Sequence, residues 1–409
     1  MKIAILVTTF PAISQTFVLN QITGLIDMGH EIDIYANKPG KDRTVHSDII
    51  TYDLVRNTTY LYHPKNSLLR FLRGAGLIIY HLLKNTRILF RALKYFIYAS
   101  KTRSLKYFYE SLSFIGKRGY DIVHCHFGHL GMTALRLREA GIINGRVVVT
   151  FHGFDITKYL QSEGEEFYKT LFKKADLFLP VSKRWQEKLI NIGCDEDKIK
   201  VHRMGVDVSL FRPKDISKTI NKPVRILTIG RLVEKKGIEY GIKACELVIN
   251  KCQDIEYTII GDGPLEKKLR VLIEKLNLSR NVHLVNSGDQ DKIVRMLGDA
   301  DIMLAPSVTS SDGNQEGIPV VIMEAMASGL AVVSTLHSGI PELVKNGSTG
   351  YLVPERDIPS LAEKLLILIN DSGLRLRMGL EGRKEIEANY NIRTLNEELD
   401  ELFKTLLIY

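Results

Sequence analysis

A chain of 409 residues, 45% hydrophobic and 25% charged, is long for one compact core, so two domains of roughly 200 residues each are expected. The composition excludes disordered and collagen-like classes. Four scattered cysteines (Cys125, Cys194, Cys245, Cys252), with no paired spacing and no histidine cluster at zinc spacing, read as reduced thiols of a cytosolic protein.

The opening Met1–Phe10 is apolar but short, ends in threonines and lacks a small-residue cleavage site, so it reads as a buried first strand and not a leader peptide. No window offers 18 uninterrupted apolar residues, and no membrane-spanning helix is expected. Strand-like runs then follow at Ile3–Val7, Glu31–Tyr35, Ile122–Cys125, Val147–Phe151, Leu177–Val181 and Ile199–His202. Between the second and third of these, Lys65 to Arg118 carries twelve Lys or Arg residues and one acid, Glu110, interleaved with Leu68, Leu72, Ile79, Phe90, Tyr95 and others. Such a basic amphipathic stretch suits an anionic membrane surface, and equally a helix face packed on its own domain. No nucleic-acid motif accompanies it, so no nucleic-acid partner is expected.

A polar seam from Val206 to Pro223 separates the halves. It divides the chain into residues 1–205, a linker 206–222, residues 223–390 and a final segment 391–409 holding an amphipathic helix, Leu395–Leu407. The second half restarts the alternation with strands at Val224–Ile229, Tyr257–Ile260, Val282–Val285, Ile302–Ala305, Ala331–Ser334 and Gly350–Val353. Strands alternating with helices specify parallel α/β architecture, whose ligand sites lie at the carboxyl-end loops.

Those loops carry the candidate chemistry. His124-Cys125-His126 and Thr150-Phe151-His152-Gly153-Phe154-Asp155 close two strands of the first half; each histidine alone would be a core residue more often than a catalyst. Gly230-Arg231-Leu232-Val233-Glu234-Lys235-Lys236-Gly237 follows the first strand of the second half, and a fork-shaped Arg231 with a compact Lys236 suits two phosphates. Gly261-Asp262-Gly263-Pro264 ends the next strand as a tight turn, read either as a close approach to a ligand or as structure alone. Asn286-Ser287 follows the third. Asp299-Ala300-Asp301 resembles a metal-binding pair but directly precedes a strand, where aspartates cap and face solvent. Finally, Gln315-Glu316-Gly317-Ile318-Pro319 leads into an apolar helix containing Glu324 and ending near Gly329. Two carboxylates eight residues apart, with a helix N-terminus between them, can grip both ends of a long ligand that carries an anion at its centre. A sugar nucleotide has that shape. The absence of G-x-G-x-x-G with a downstream acid argues against a nicotinamide enzyme.

The Glu316-to-Glu324 segment, with Ser311-Asp312-Gly313-Asn314 before it and Val332–Glu342 after it, resembles the Glu-x7-Glu motif of retaining family 4 glycosyltransferases, in the branch of colanic-acid and related exopolysaccharide enzymes. Met204–Pro213 resembles the linker motif of the same family, and the likeness spans nearly the whole chain, weakest from Thr51 to Tyr120. The resemblance implies a GT-B fold of two facing Rossmann-like domains, with the last helix crossing back to the first domain. It implies Glu316, His152 and His126 as catalytic residues, and Arg231, Lys236, Gly317, Ile318, Glu324, Gly261 and Ser287 as donor-binding residues. A nucleotide-diphosphate sugar, with UDP the favoured nucleotide, would be the donor and a lipid-linked saccharide the acceptor. The enzyme would need no metal or other cofactor and would work at the inner face of the cell membrane. The first loop, Phe10–Phe17, departs from its branch by placing Gln15 where a glutamate is usual. Two alternatives remain open at this point: an epimerase or phosphorylase of the same architecture, and a catalytically silent carbohydrate-binding subunit.

Overall fold

In the computed structural model, which describes residues 1–12, 16–40, 46–61, scattered positions between 66 and 90, 105–114, 119–213 and 223–408, the apolar runs become strands, the central ones buried on both faces. Helices on both sides of a sheet make such runs continuous, where a one-sided sheet would alternate. The first sheet contains β1 (Lys2–Phe10), β2 (Glu31–Pro39), β3 (Thr58–Tyr60), β4 (Ile122–His126), β5 (Arg146–Phe151) and β6 (Leu177–Pro180), in the order β3-β2-β1-β4-β5-β6. The second contains β7 (Val224–Ile229), β8 (Ile255–Ile260), β9 (Val282–Val285), β10 (Ile302–Ala305), β11 (Ala331–Thr335) and β12 (Gly350–Val353), in the order β12-β11-β10-β7-β8-β9. All pairings are parallel. Each sheet reverses direction beside its own first strand, at β1/β4 and at β7/β10, and opens its crevice there.

Two strand expectations differ from the structure. Ile199–His202 runs beside β6, with Lys200 N–H and His202 N–H donating to Phe178 and Pro180 carbonyls at 3.0 Å, yet only Ile199 forms a bridge. The edge strand β3 has just three half-buried residues, Thr58, Thr59 and Tyr60, too few to show a period in sequence.

The last helix, Ile392–Ile408, leaves the second sheet and packs on the first. Leu399 and Phe403 are fully buried among Ile3, Ile5, Leu25 and Leu179. Asn396 Nδ2 donates to the Asn20 carbonyl at 3.0 Å, and His30 Nε2 lies 2.8 Å from Asp400 Oδ1. The crossing implied by the resemblance is therefore present, beginning three residues earlier than the amphipathic pattern suggested.

The carboxyl ends of the two sheets face each other and touch. A Cβ built on Gly317 would stand 2.5 Å from the His152 carbonyl oxygen, and one on Gly153 3.1 Å from the Glu316 carbonyl oxygen. Only glycines allow backbones this close. Lys158 of the first half pairs with Asp312 of the second, and Glu342 accepts from Lys183 N–H and Arg184 N–H at 2.9 and 3.0 Å.

Candidate active site

The first wall of the cleft is built at the ends of β4 and β5. His152 leaves β5 half-buried, and its Nε2 lies 3.2 Å from Nδ1 of His126 at the end of β4. His126 is 0% exposed, so it meets the cleft only through His152. His124 lies deeper, with Nε2 2.8 Å from Thr150 Oγ1 and its ring against Phe403, as an internal packing residue should. Burial, reinforced by the neighbouring His124, drives His152 down to about 3, and burial with His152 and His202 holds His126 well below the usual histidine range. Both rings are therefore neutral near pH 7, and one of their two N–H groups lies in the hydrogen bond between them.

Asp155 fixes this wall. Its carboxylate accepts from His152 N–H and Gly153 N–H at 3.0 Å each and from Gly128 N–H at 2.9 Å, so one side chain ties the β5 loop to the start of helix Gly128–Glu139. Burial pushes its carboxyl up to about 6 against the pull of those N–H groups. Asp155 stands in the Thr150–Asp155 motif, and the resemblance assigns it no role. The signal was its place three residues after the histidine, the spacing of a side chain that folds back onto its own backbone.

The opposite wall is cationic. Lys235 Nζ and Lys236 Nζ both lie 3.3 Å from Glu316 Oε1. Burial alone would raise the Glu316 carboxyl, but the two ammonium groups overcome it and hold the carboxyl down at about 2. Arg231, at the mouth of the same loop, is exposed and makes no ion pair among the described residues. Lys235 was passed over in the sequence because the resemblance singles out Lys236; in the structure the two are equidistant from Glu316.

Gly317 and Ile318 connect Glu316 to the helix Val320–Ala327, with Ile318 buried. Glu324 lies a full turn into that helix, half-buried and without an ion-pair partner among the described residues, and burial pushes its carboxyl up to about 7. Gly261 has a structural reason to be glycine: a Cβ there would meet the Gly230 carbonyl oxygen at 1.9 Å. Ser287 donates to Asp262, linking the ends of β9 and β8. Asp301 Oδ2 accepts from Arg225 N–H at 2.9 Å and so secures the entry of β7. The first-loop residues Ser14 and Gln15 lie outside the described residues, as do linker residues 214–222 and most of the basic stretch from Lys65 to Arg118.

Known proteins share this organisation. Residues 14–210 match the family model described as Glycosyltransferase Family 4, and residues 212–385 match that of Glycosyl transferases group 1. The chain is 38% identical over 410 residues to the putative colanic acid biosynthesis glycosyltransferase WcaL of Escherichia coli, covering 99% of this chain and 100% of that protein. It is 37% identical over 412 residues to the amylovoran biosynthesis glycosyltransferase AmsK of Erwinia amylovora, with the same coverage. Among solved structures, HepE of Anabaena in complex with UDP-glucose superposes with a TM-score of 0.72 at 17% identity, covering 99% of this chain and 100% of that one. Sucrose-phosphate synthase of Thermosynechococcus elongatus superposes with a TM-score of 0.71 at 20% identity, covering 100% and 99%. With both halves matched and the full length aligned, the chain belongs to the family 4 glycosyltransferases and is a transferase of the two-domain GT-B fold.

Proposed function

We propose that the enzyme moves a hexosyl group from a nucleoside-diphosphate sugar, with UDP the favoured nucleotide, to a lipid-linked saccharide during bacterial exopolysaccharide assembly. The observation that carries this reading is the meeting of two unlike walls. The loop that carries Arg231 sets Lys235 and Lys236 on Glu316, and Glu316 meets the His126–His152 wall through the backbone contacts of Gly317 and Gly153. The cations and the N-terminal end of helix Val320–Ala327 suit a diphosphate. Glu324, reached along the same helix, suits a ribose, and Glu316 beside the His152 loop suits the sugar. The exopolysaccharide setting is supported by the full-length likeness to WcaL and AmsK, and a UDP-sugar donor by the UDP-glucose complex of HepE.

In the reaction we infer, the bond from the anomeric carbon to the phosphate oxygen breaks and a bond to the acceptor hydroxyl oxygen forms on the same face. The hydroxyl proton passes to the departing phosphate. Charge accumulates on that phosphate as it leaves, and fixed cations beside it lower the barrier without having to reorganise. With Arg231 and the lysines in that role, no metal is assigned to the chemistry.

The test is nucleotide release from a panel of UDP- and GDP-sugars, with and without bacterial membrane lipid extract and with and without excess chelator. Release that needs the lipid fraction and survives the chelator is the expected result. Lipid-independent conversion of the sugar nucleotide would instead point to an epimerase or a phosphorylase. No turnover of any donor would leave only a binding subunit.

A further inference from the structure

The backbone of Glu316 is held from behind by a buried histidine, His337, and its half-buried carboxylate partner, Glu355. Glu316 N–H donates to His337 Nε2 at 3.1 Å, so that nitrogen must carry the lone pair and the ring proton must sit on Nδ1. Nδ1 lies 2.6 Å from Glu355 Oε1. Glu355 is fixed in turn by Thr309, whose N–H donates to Oε2 at 2.8 Å and whose hydroxyl donates to Oε1 at 3.1 Å. The Glu316 carbonyl accepts from Ser338 Oγ at 2.6 Å. Both backbone polar atoms of Glu316 are thus claimed by consecutive residues of the loop after β11, and His337 is 0% exposed.

We propose that His337, locked in one tautomer by Glu355, is a positioning residue that sets where the Glu316 peptide, and with it the carboxylate, stands in the cleft. The physical reason is geometric. Glu316 and Gly317 are the point at which the second domain meets the His152 loop, and Glu316 is nearly buried, so its N–H has no water to replace a lost acceptor. A carboxylate that must present itself to a sugar tolerates little displacement. Protonation of His337 would aim a second donor at the Glu316 N–H and undo the arrangement. The charged groups facing the ring are Glu355 and Glu316 on its own domain and Arg184 from the first domain. Burial outweighs the two carboxylates and keeps the ring below the usual histidine range, so at neutral pH the acceptor form prevails.

The inference rests on the reading of Glu316 as a donor-site residue, and the experiment separates the two. His337→Ala, His337→Gln, Glu355→Gln and Glu316→Gln would be made in the full chain. Their kcat and KM would be measured with the sugar nucleotide that proves active, along with UDP affinity, melting temperature and hydrogen exchange at the Glu316 amide. His337→Ala should lower kcat roughly tenfold to a hundredfold, the scale of orphaning a buried donor, with faster Glu316 amide exchange and little change in UDP affinity. His337→Gln, whose amide oxygen can replace Nε2, should restore most of the rate and the protection. Glu355→Gln should lie between the two. If Glu316→Gln is inactive while a folded His337→Ala turns over like wild type, or if the glutamine variant restores nothing, the positioning role is overturned. If Glu316→Gln itself keeps full activity, the reading of the site fails first.

Discussion

Gly317 and His152 belong to different domains, yet the α-carbon of one lies so near the carbonyl oxygen of the other that a Cβ would come within 2.5 Å. The same Cβ would stand 3.4 Å from Val181 Cγ2, so the space is closed on a second side. Gly317→Ala must therefore displace the Glu316 loop or open the cleft. Forced overpacking costs about 1–3 kcal/mol, which corresponds to roughly a five- to hundredfold loss of the closed arrangement. We expect turnover to fall by that order, with a larger radius of gyration in solution scattering and little change in melting temperature. Wild-type turnover in the alanine variant would mean that this contact is not part of the working state.

The cationic wall yields a second expectation. Arg231→Ala and Lys236→Ala should each lower turnover by on the order of a hundredfold, the scale for removing one preorganised contact to developing charge. Arg231 is exposed and makes no ion pair among the described residues, so its removal should leave stability untouched. Lys236 shares Glu316 with Lys235, so Lys236→Ala leaves that carboxylate one partner. Unchanged rates and donor affinity in both variants would remove the clamp from the mechanism.

Glu324 should report on its own titration. Its carboxyl is raised from 4.5 to about 7 by burial alone. A carboxyl raised on folding favours the fold at low pH, and that contribution is lost as pH climbs from the unfolded value through the folded one. Glu324→Gln should therefore gain melting temperature relative to wild type at pH 8 and show little difference at pH 4. Ribose hydroxyls that donate to Glu324 favour its ionised form, so UDP binding near pH 7 should release up to about half a proton in the wild type and none from this position in the glutamine variant. Calorimetry in buffers of different ionisation enthalpy measures this directly. Identical proton release in the two proteins would take Glu324 out of the nucleotide site.

Much of this arrangement was legible in the residues, for identifiable reasons. Parallel strands buried on both faces announce themselves as unbroken apolar runs, and all but one of those expected became strands in the two sheets. Gly329 adopts φ +75° just past the helix that contains Glu324, as its place in the sequence implied. Pro319, which leads into that helix, is its cap, with ψ 118°. What stayed hidden depended on tertiary contact. Asp155, His337, Glu355 and Glu342 act through partners distant in sequence or through backbone N–H groups, and no local pattern shows where a carboxylate will find its donors. His126 was rightly placed at a strand end, but only the packing of His152 over it shows that it is sealed from the cleft.

The basic stretch from Lys65 to Arg118 gives a fourth prediction. Leu68, Leu72, Ile79 and Phe90, which are among its described residues, are 66%, 58%, 58% and 73% exposed, and their sequence spacing falls on one helical stripe. Large exposed apolar side chains among cations favour an anionic bilayer over a merely solvated face. The protein should co-sediment with vesicles containing anionic lipid at low salt and be released as salt is raised, because exposed charge attraction is screened. Changing Arg70, Arg73, Arg87 and Arg91 to Glu should abolish binding and leave UDP affinity unchanged. Indifference of the wild type to anionic vesicles at low salt would remove the membrane from the proposed function.

The contact between Glu342 and the helix Lys183–Asn191 makes the last prediction. That helix begins in the first domain with Ser182, whose Oγ accepts from Trp185 N–H at 3.3 Å, leaving the N–H groups of Lys183 and Arg184 without partners from their own helix. Glu342, from the second domain, accepts one with each carboxylate oxygen and places a negative charge at the positive end of the helix. Opening the cleft exchanges these bonds for water, so the carboxylate favours closure without contributing to either domain's own fold. Tyr390 OH donates to the Glu342 carbonyl at 3.2 Å and anchors the residue beside the start of the crossing helix. Because the donors are exposed once the cleft opens, the effect should be modest. Glu342→Ala should lower kcat/KM for the donor by about three- to tenfold, the low end for a charge-assisted hydrogen bond, and shift solution scattering toward an open form. Glu342→Gln, which keeps one acceptor oxygen and loses the charge, should fall between alanine and wild type. Melting temperature should hardly move in either variant. A loss of stability that matches the loss of activity would instead assign Glu342 to the fold of its own domain.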